Sequence, residues 1–169
     1  PLADEVLVKV EACGVCHSDL HIVDGDSPAF KAGTKAQLIP GHEVVGRVVA
    51  RGADVRHLDI GQRVGVAWLH HACGACELCL SGRENLCRKG TVTGMTVDGG
   101  YAEFMRAKAS HALPIPEALS SVEAAPLFCA GVTSYRALHN AGVGPGQRVA
   151  VVGVGGLGHL AVQIAVAAG

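Results

Sequence analysis

Four cysteines stand at Cys73, Cys76, Cys79 and Cys87, a C-x2-C-x2-C-x7-C run. Four thiolates this close in sequence can close around one tetrahedral ion, and zinc is the usual occupant of an all-sulfur site. A disulfide cluster belongs to a small secreted domain. An iron–sulfur run of the bacterial type keeps its fourth cysteine closer and follows it with proline. Here the gap is wider and Arg88 follows Cys87. Four unrelated loop thiols rarely show spacing this regular.

A second set of donors is spread more widely. Segment 14–21 (GVCHSDLH) packs Cys16, His17, Ser18, Asp19 and His21 together, and segment 40–43 (PGHE) adds His42 and Glu43. A catalytic zinc takes three protein ligands and keeps one position open, and Cys2His is a known set. Cys16, His42 and Cys129 could supply it, with Asp19 and Glu43 orienting His42 from behind. Cys129 stands alone in an apolar stretch, and by spacing alone it reads equally as a buried, inert thiol. Cys13 reads as an ordinary buried thiol.

The third feature is Gly153-Val154-Gly155-Gly156-Leu157-Gly158, a G-x-G-x-x-G match. It follows an apolar run and opens an apolar helix pattern, the context in which such glycines admit a pyrophosphate to a helix N-terminus. In a chain with 23 glycines, a plain strand-to-helix turn is the alternative. The acidic residue that would grip a ribose is expected about 20 residues beyond the motif, past Gly169.

Positioning these groups calls for two kinds of scaffold. Alternating valines predict a strand at 5–11 and a valine-rich run predicts another at 43–50, with further strands at 62–68 and 99–106. Short strands with glycine turns describe a β-barrel-like domain over 1–115, with the cysteine run 73–87 as an inserted lobe. From 116 the pattern changes. Ser120 and Glu123 fit a capping box, a helix is expected over 132–141, a buried strand over 148–154 and a helix over 155–168. Strand, glycine turn and helix are the start of a doubly wound α/β unit, so the fold class is mixed α and β. Pro1 leads almost directly into a strand and Gly169 closes the first helix of that unit, so a fragment without a leader is expected.

Bulk composition narrows the classes. The 14 Lys+Arg against 15 Asp+Glu leave a net charge of -1, which offers nothing to nucleic acid or an anionic membrane surface. Hydrophobic residues at 49% and charged residues at 17% describe a well-buried chain. No apolar run is long enough to span a bilayer. Thiols at metal spacing favour a reducing compartment, so a cytoplasmic location is expected.

Taken together, GVCHSDLH, PGHEVVG, CGACELCLSGRENLC, VDGGYAEF, CAGVTSYRAL and VGVGGLGH, in that order, resemble the medium-chain zinc-dependent alcohol dehydrogenases over essentially the whole chain. The likeness is closest to bacterial members that prefer short primary alcohols. It implies a GroES-like β domain followed by the start of a Rossmann domain, two zinc ions per chain, and NAD as cofactor with NADP open. It implies a small alcohol or aldehyde substrate and a homo-oligomer. Cys16, His42 and Cys129 fall where the family places its catalytic zinc ligands, and Cys73, Cys76, Cys79 and Cys87 match its structural zinc lobe. Ser18 and His21 match its proton relay, and Glu43 an acid close to the zinc. His17 matches a contact to the cofactor pyrophosphate, Thr133 a residue near the nicotinamide, and Trp68 an aromatic pocket wall. The implied chemistry is deprotonation of a zinc-bound alcohol to alkoxide, with the proton leaving through Ser18, the cofactor ribose and His21, and hydride transfer to NAD(P). Two rivals are a polyol or aryl-alcohol dehydrogenase using the same zinc, and a non-catalytic metal sensor built on the lobe alone.

Overall fold

The computed structural model describes residues 1–169, the side chain of Ala29 excepted. Seven strands form, β1 (Glu5–Gly14), β2 (Glu43–Arg51), β3 (Arg63–Val66), β4 (Leu69–His71), β5 (Thr91–Val92), β6 (Phe104–Lys108) and β7 (Ala112–Pro114). Five of them make one antiparallel sheet in the order β6-β1-β2-β3-β7, and β4 pairs with β5 apart from it. β6 and β7 are free edges, so the sheet is a curled half-barrel rather than a closed one.

Alternation explains the core. Val6 and Val8 of β1 are fully buried and meet Val44, Val48, Val64, Val66 and Met105 in one aliphatic cluster with Leu58. Each such side chain contributes about 1.5–3 kcal/mol on leaving water. Val45 points to the other face of β2, where it packs with Ala124, Ala125 and the half-buried Phe128.

The register of β1 on β2 matters for everything that follows. Gly14 pairs with Glu43, so the chain leaving β1 and the chain entering β2 lie side by side. Cys16 and His42 sit on those two flanks. Short helices fill the connection between them, α1 (His17–Asp24) and α2 (Pro28–Gly33), in a stretch where the sequence shows no regular period. The remaining helices are α3 (Glu77–Leu80), α4 (Ser121–Ala124), α5 (Ala130–Asn140) and α6 (Gly158–Ala167), with single 3-10 turns at Glu84–Leu86, Ala109–His111 and Ala125–Phe128.

Five expectations need correction. The strand expected at 62–68 is shorter, ending at Val66 before β4 begins a separate ribbon. The strand expected at 99–106 begins only at Phe104, because Gly99, Gly100 and Tyr101 donate their N–H groups to Ile39, Gly41 and Pro40 carbonyls instead of to a ladder. No strand forms at 148–154: Val152 is 99% exposed, since a parallel strand needs flanking strands that the described residues do not supply. The doubly wound sheet expected after residue 116 is therefore not seen, and the following helix starts at Gly158 rather than 155. The capping box at Ser120 and Glu123 is present, though it opens only one α-turn before the 3-10 turn.

Candidate functional site

Cys16 is the N-cap of α1. Asp19, three residues on, accepts the Cys16 N–H at 2.9 Å. The same carboxylate accepts the Gly41 N–H and the His42 Nδ1–H, each at 3.1 Å. One buried acid thus joins the two flanks that the β1–β2 register brings together. Burial pushes the Asp19 carboxyl up, but the hydrogen bonds from His42 and the Cys16 N–H outweigh it, and the group lies below its usual value.

With Nδ1–H committed to Asp19, the His42 Nε2 lone pair is free. That nitrogen is buried and has no partner. Donor atoms of Cys16, His42, Glu43 and Cys129 all lie within 4.8 Å of one another. The Cys16 and Cys129 sulfurs are 3.8 Å apart, which is about the edge of a tetrahedron with arms of about 2.3 Å, the zinc–sulfur distance. Burial pushes the Cys129 thiol up to about 12, so a thiolate there needs a cation beside it. An orphaned imidazole nitrogen and two thiols at tetrahedral spacing fit zinc.

The third thiol arrives from far along the chain, and its route explains why spacing could not find it. Gly65 of β3 leaves room for the Phe128 ring, which a Cβ there would overlap. Arg63, buried in the same strand, donates to the Pro116 and Leu119 carbonyls at 3.2 and 2.8 Å. The segment carrying Cys129 is thereby held on the sheet at the start of α5. Glu43 reaches the cluster because Gly14 has no side chain to block its carboxylate. Burial raises the Glu43 carboxyl. Asp19 alone hydrogen-bonds His42, although both acids were expected behind it.

Around this cluster stands a row of rings. Trp68 meets His42 edge-on at 4.8 Å, Phe30 meets Trp68 edge-on at 6.3 Å, and Phe30 stacks on His21 at 5.9 Å. Phe30 carries no motif and sequence reasoning passed over it. His21 Nδ1 pairs with Asp26 Oδ2 at 2.8 Å, and its ring is 4.7 Å from that of the exposed His17. Ser18 is half-buried one residue from Asp19.

The lobe forms between β4 and β5. Its sulfurs lie 3.5 Å (Cys76–Cys79) to 3.9 Å (Cys73–Cys79, Cys76–Cys87) apart, and the four donors form the second cluster able to hold an ion. The Ala75 and Cys76 N–H groups hold the Cys73 thiol down to about 6, while burial pushes Cys79 up to about 12. Neither α3 nor the 3-10 turn of the lobe has a buried residue, and Leu80 is 76% exposed. The lobe thus has no core of its own.

The glycine turn meets α5. Thr133 and Ser134 line one shallow depression with Gly153, Gly155, Gly156, Leu157 and Gly158. The Ser134 hydroxyl donates to the Leu157 carbonyl at 2.9 Å, and Gly158 packs so closely on the Gly153 carbonyl that a Cβ would overlap it.

The fold is a curled β half-barrel that carries a four-cysteine lobe, a separate Cys/His/Glu cluster and an appended glycine turn. The family model for the alcohol dehydrogenase GroES-like domain matches residues 2–117, and the chain belongs to that family, the medium-chain zinc alcohol dehydrogenases. An alcohol dehydrogenase of Geobacillus stearothermophilus is 55% identical over 165 residues, covering 98% of this chain and 48% of the relative. The cobalt- and zinc-bound thermostable alcohol dehydrogenase of Pyrobaculum aerophilum superposes with a TM-score of 0.89 at 33% identity, covering 100% of this chain and 50% of that one. A CAD from Helicobacter pylori complexed with NADP(H) gives 0.91 at 31% identity, over 99% and 50% of the two chains. The chain spans about half the length of the curated relatives it matches. No helix among the described residues is long and apolar enough to cross a membrane.

Proposed function

We propose that the chain carries the metal-holding and alcohol-binding part of a dehydrogenase that interconverts alcohols with aldehydes or ketones, using zinc and NAD(P). The observation that carries this reading is the buried, unpartnered Nε2 of His42 in one cluster with the Cys16 and Cys129 thiols. A sensor built on the lobe alone has no use for it. In this reading residues 1–115 are the GroES-like domain with the lobe and two of the three ligands of the first centre, and 116–169 supply the third, Cys129, and lead into the nucleotide-binding part. All seven cysteines are unpaired, which supports a reducing, cytoplasmic setting.

Cys16, His42 and Cys129 would hold one zinc, with Glu43 beside them, and Cys73, Cys76, Cys79 and Cys87 would hold the other. Zinc at the first centre supplies Lewis acidity, which lowers the pKa of an alcohol hydroxyl to the neutral range. The nicotinamide supplies a hydride acceptor. Ser18 passes the alcohol proton outward, since a hydroxyl can accept one proton while donating another. With Nδ1–H on Asp26, His21 keeps Nε2 free to receive the proton. The edge of Trp68 on His42 walls the alcohol side and limits substrate size. His17 and the turn Gly153, Gly155, Gly156, Leu157 and Gly158 would take the pyrophosphate, with Thr133 near the nicotinamide.

The test is initial-rate measurement with short primary alcohols and either NAD or NADP. Alcohol-dependent reduction of the nicotinamide is expected, lost on chelation and restored by zinc. Metal-replete enzyme with its nucleotide-binding half present that reduces neither cofactor with any alcohol would remove this reading.

A further inference from the structure

We infer that Tyr101 is a positioning residue for the first metal centre, its hydroxyl fixing the Asp19 carboxylate that in turn fixes the His42 ring. The inference rests on the zinc reading above. Asp19 is 3% exposed and accepts four hydrogen bonds. Oδ1 takes the Gly41 N–H and the His42 Nδ1–H, and Oδ2 takes the Cys16 N–H and the Tyr101 O–H, the last at 2.9 Å. Three of these donors belong to the segments that carry the ligands themselves. Tyr101 alone comes from outside, from the loop that precedes β6.

Its own placement is over-determined. The Tyr101 N–H donates to the Pro40 carbonyl at 3.0 Å. Its ring lies against Gly41, where a Cβ would come within 2.7 Å of the ring Cδ1 and where φ is +97°. Glycine at 41 thus does two things: it adopts a left-handed turn and leaves the space the ring occupies. The hydroxyl also lies 3.1 Å from the Gly14 carbonyl. A phenol has one proton, and between a neutral carbonyl and a carboxylate the stronger acceptor is the carboxylate. The ring is clamped to the loop bearing His42 while the proton reaches the acid bonded to Cys16. Tyr101 therefore closes a link between the two ligand flanks that the backbone register alone would leave loose. Outer-shell partners of this kind typically change metal affinity 10–100-fold.

Tyr101→Phe isolates the effect, because the ring and its packing on Gly41 stay and only the hydroxyl goes. The measurement is zinc release from the holoenzyme to a chromophoric chelator, with the lobe zinc as internal control, beside the visible spectrum of cobalt placed in the first centre. One zinc is expected to leave about tenfold faster with the other unchanged, and the cobalt bands are expected to shift. Asp19→Asn is expected to accelerate the same phase, and adding Tyr101→Phe to it should add little. Release unchanged within about twofold, or equal acceleration of both zincs, would overturn the inference, the latter by showing a general loosening. A parent enzyme that holds only the lobe zinc would instead overturn the function proposed above.

Discussion

At the scale of single residues, Trp68 offers the most direct view of the substrate. Under the function proposed above, its edge on His42 and its contact with Phe30 would make it a pocket wall beside the Cys16–His42–Cys129 cluster. Trp68→Ala is expected to favour bulkier alcohols over ethanol-sized ones by ~1–3 kcal/mol in relative transition-state binding. Ratios of kcat/KM across an alcohol series check this, and an unchanged ranking would take Trp68 out of the pocket. His70 gives a pH handle away from the chemistry. It is buried, with Nδ1 unpartnered, and burial, helped by Lys108, pushes its pKa from 6.5 down to about 4. Between those values the unfolded chain takes up a proton that the folded chain refuses. The stability tied to neutral His70 is thus complete above pH 6.5 and is lost as pH falls towards 4, by roughly 3 kcal/mol. Denaturant titrations across that window should show a shallower fall for His70→Leu than for the parent, and parallel slopes would refute the assignment. Not every such residue was legible beforehand. The lobe cysteines announce themselves because their ligand geometry is written in local spacing. Cys129 does not, because what places it is the fit of Phe128 on Gly65, a tertiary contact with no period.

At the scale of elements, β1 was readable because its valines alternate onto one buried face, and β2, which buries Val44 and Val45 on opposite faces, was readable from its valine-rich run. The stretch 99–103 misled because its glycines and Tyr101 look strand-like while their N–H groups serve the loop around Gly41. The helices α1 and α2 carry too few periodic apolar residues to signal themselves, since Asp19 and Ile22 are the only buried residues of α1. The packing of the 3-10 turn Ala125–Phe128 on β3 leads to a sharper expectation. Gly65→Ala should push Phe128 off the sheet and carry Cys129 with it. Overpacking of this kind costs typically 1–3 kcal/mol, and here a proposed zinc ligand moves as well. Thermal unfolding together with zinc content should show lower stability and loss of one zinc. A variant that is destabilised yet keeps both ions would mean that Cys129 is not positioned this way.

At the scale of the whole molecule, two sulfur-rich centres serve opposite ends. The lobe is exposed, without a core, and closes on itself through four thiols. The other cluster is buried, draws on distant segments, and includes His42, with 0% exposure and a nitrogen that nothing in the protein satisfies. The expected strand at 148–154 failed for a reason that belongs to this scale. Propensity and apolar content were right, but parallel pairing is a property of neighbours, and the exposed Val152 and Val154 show where such neighbours would pack. The buried cluster is proposed to be a zinc centre required for alcohol oxidation. Zinc per chain, measured in the parent and in His42→Ala alongside alcohol-dependent NAD(P) reduction, tests it most directly. Two zincs falling to one, with turnover lost and the lobe zinc retained, is the expected result. A parent with a single zinc, or a His42→Ala variant that keeps both zincs or full turnover, would contradict it.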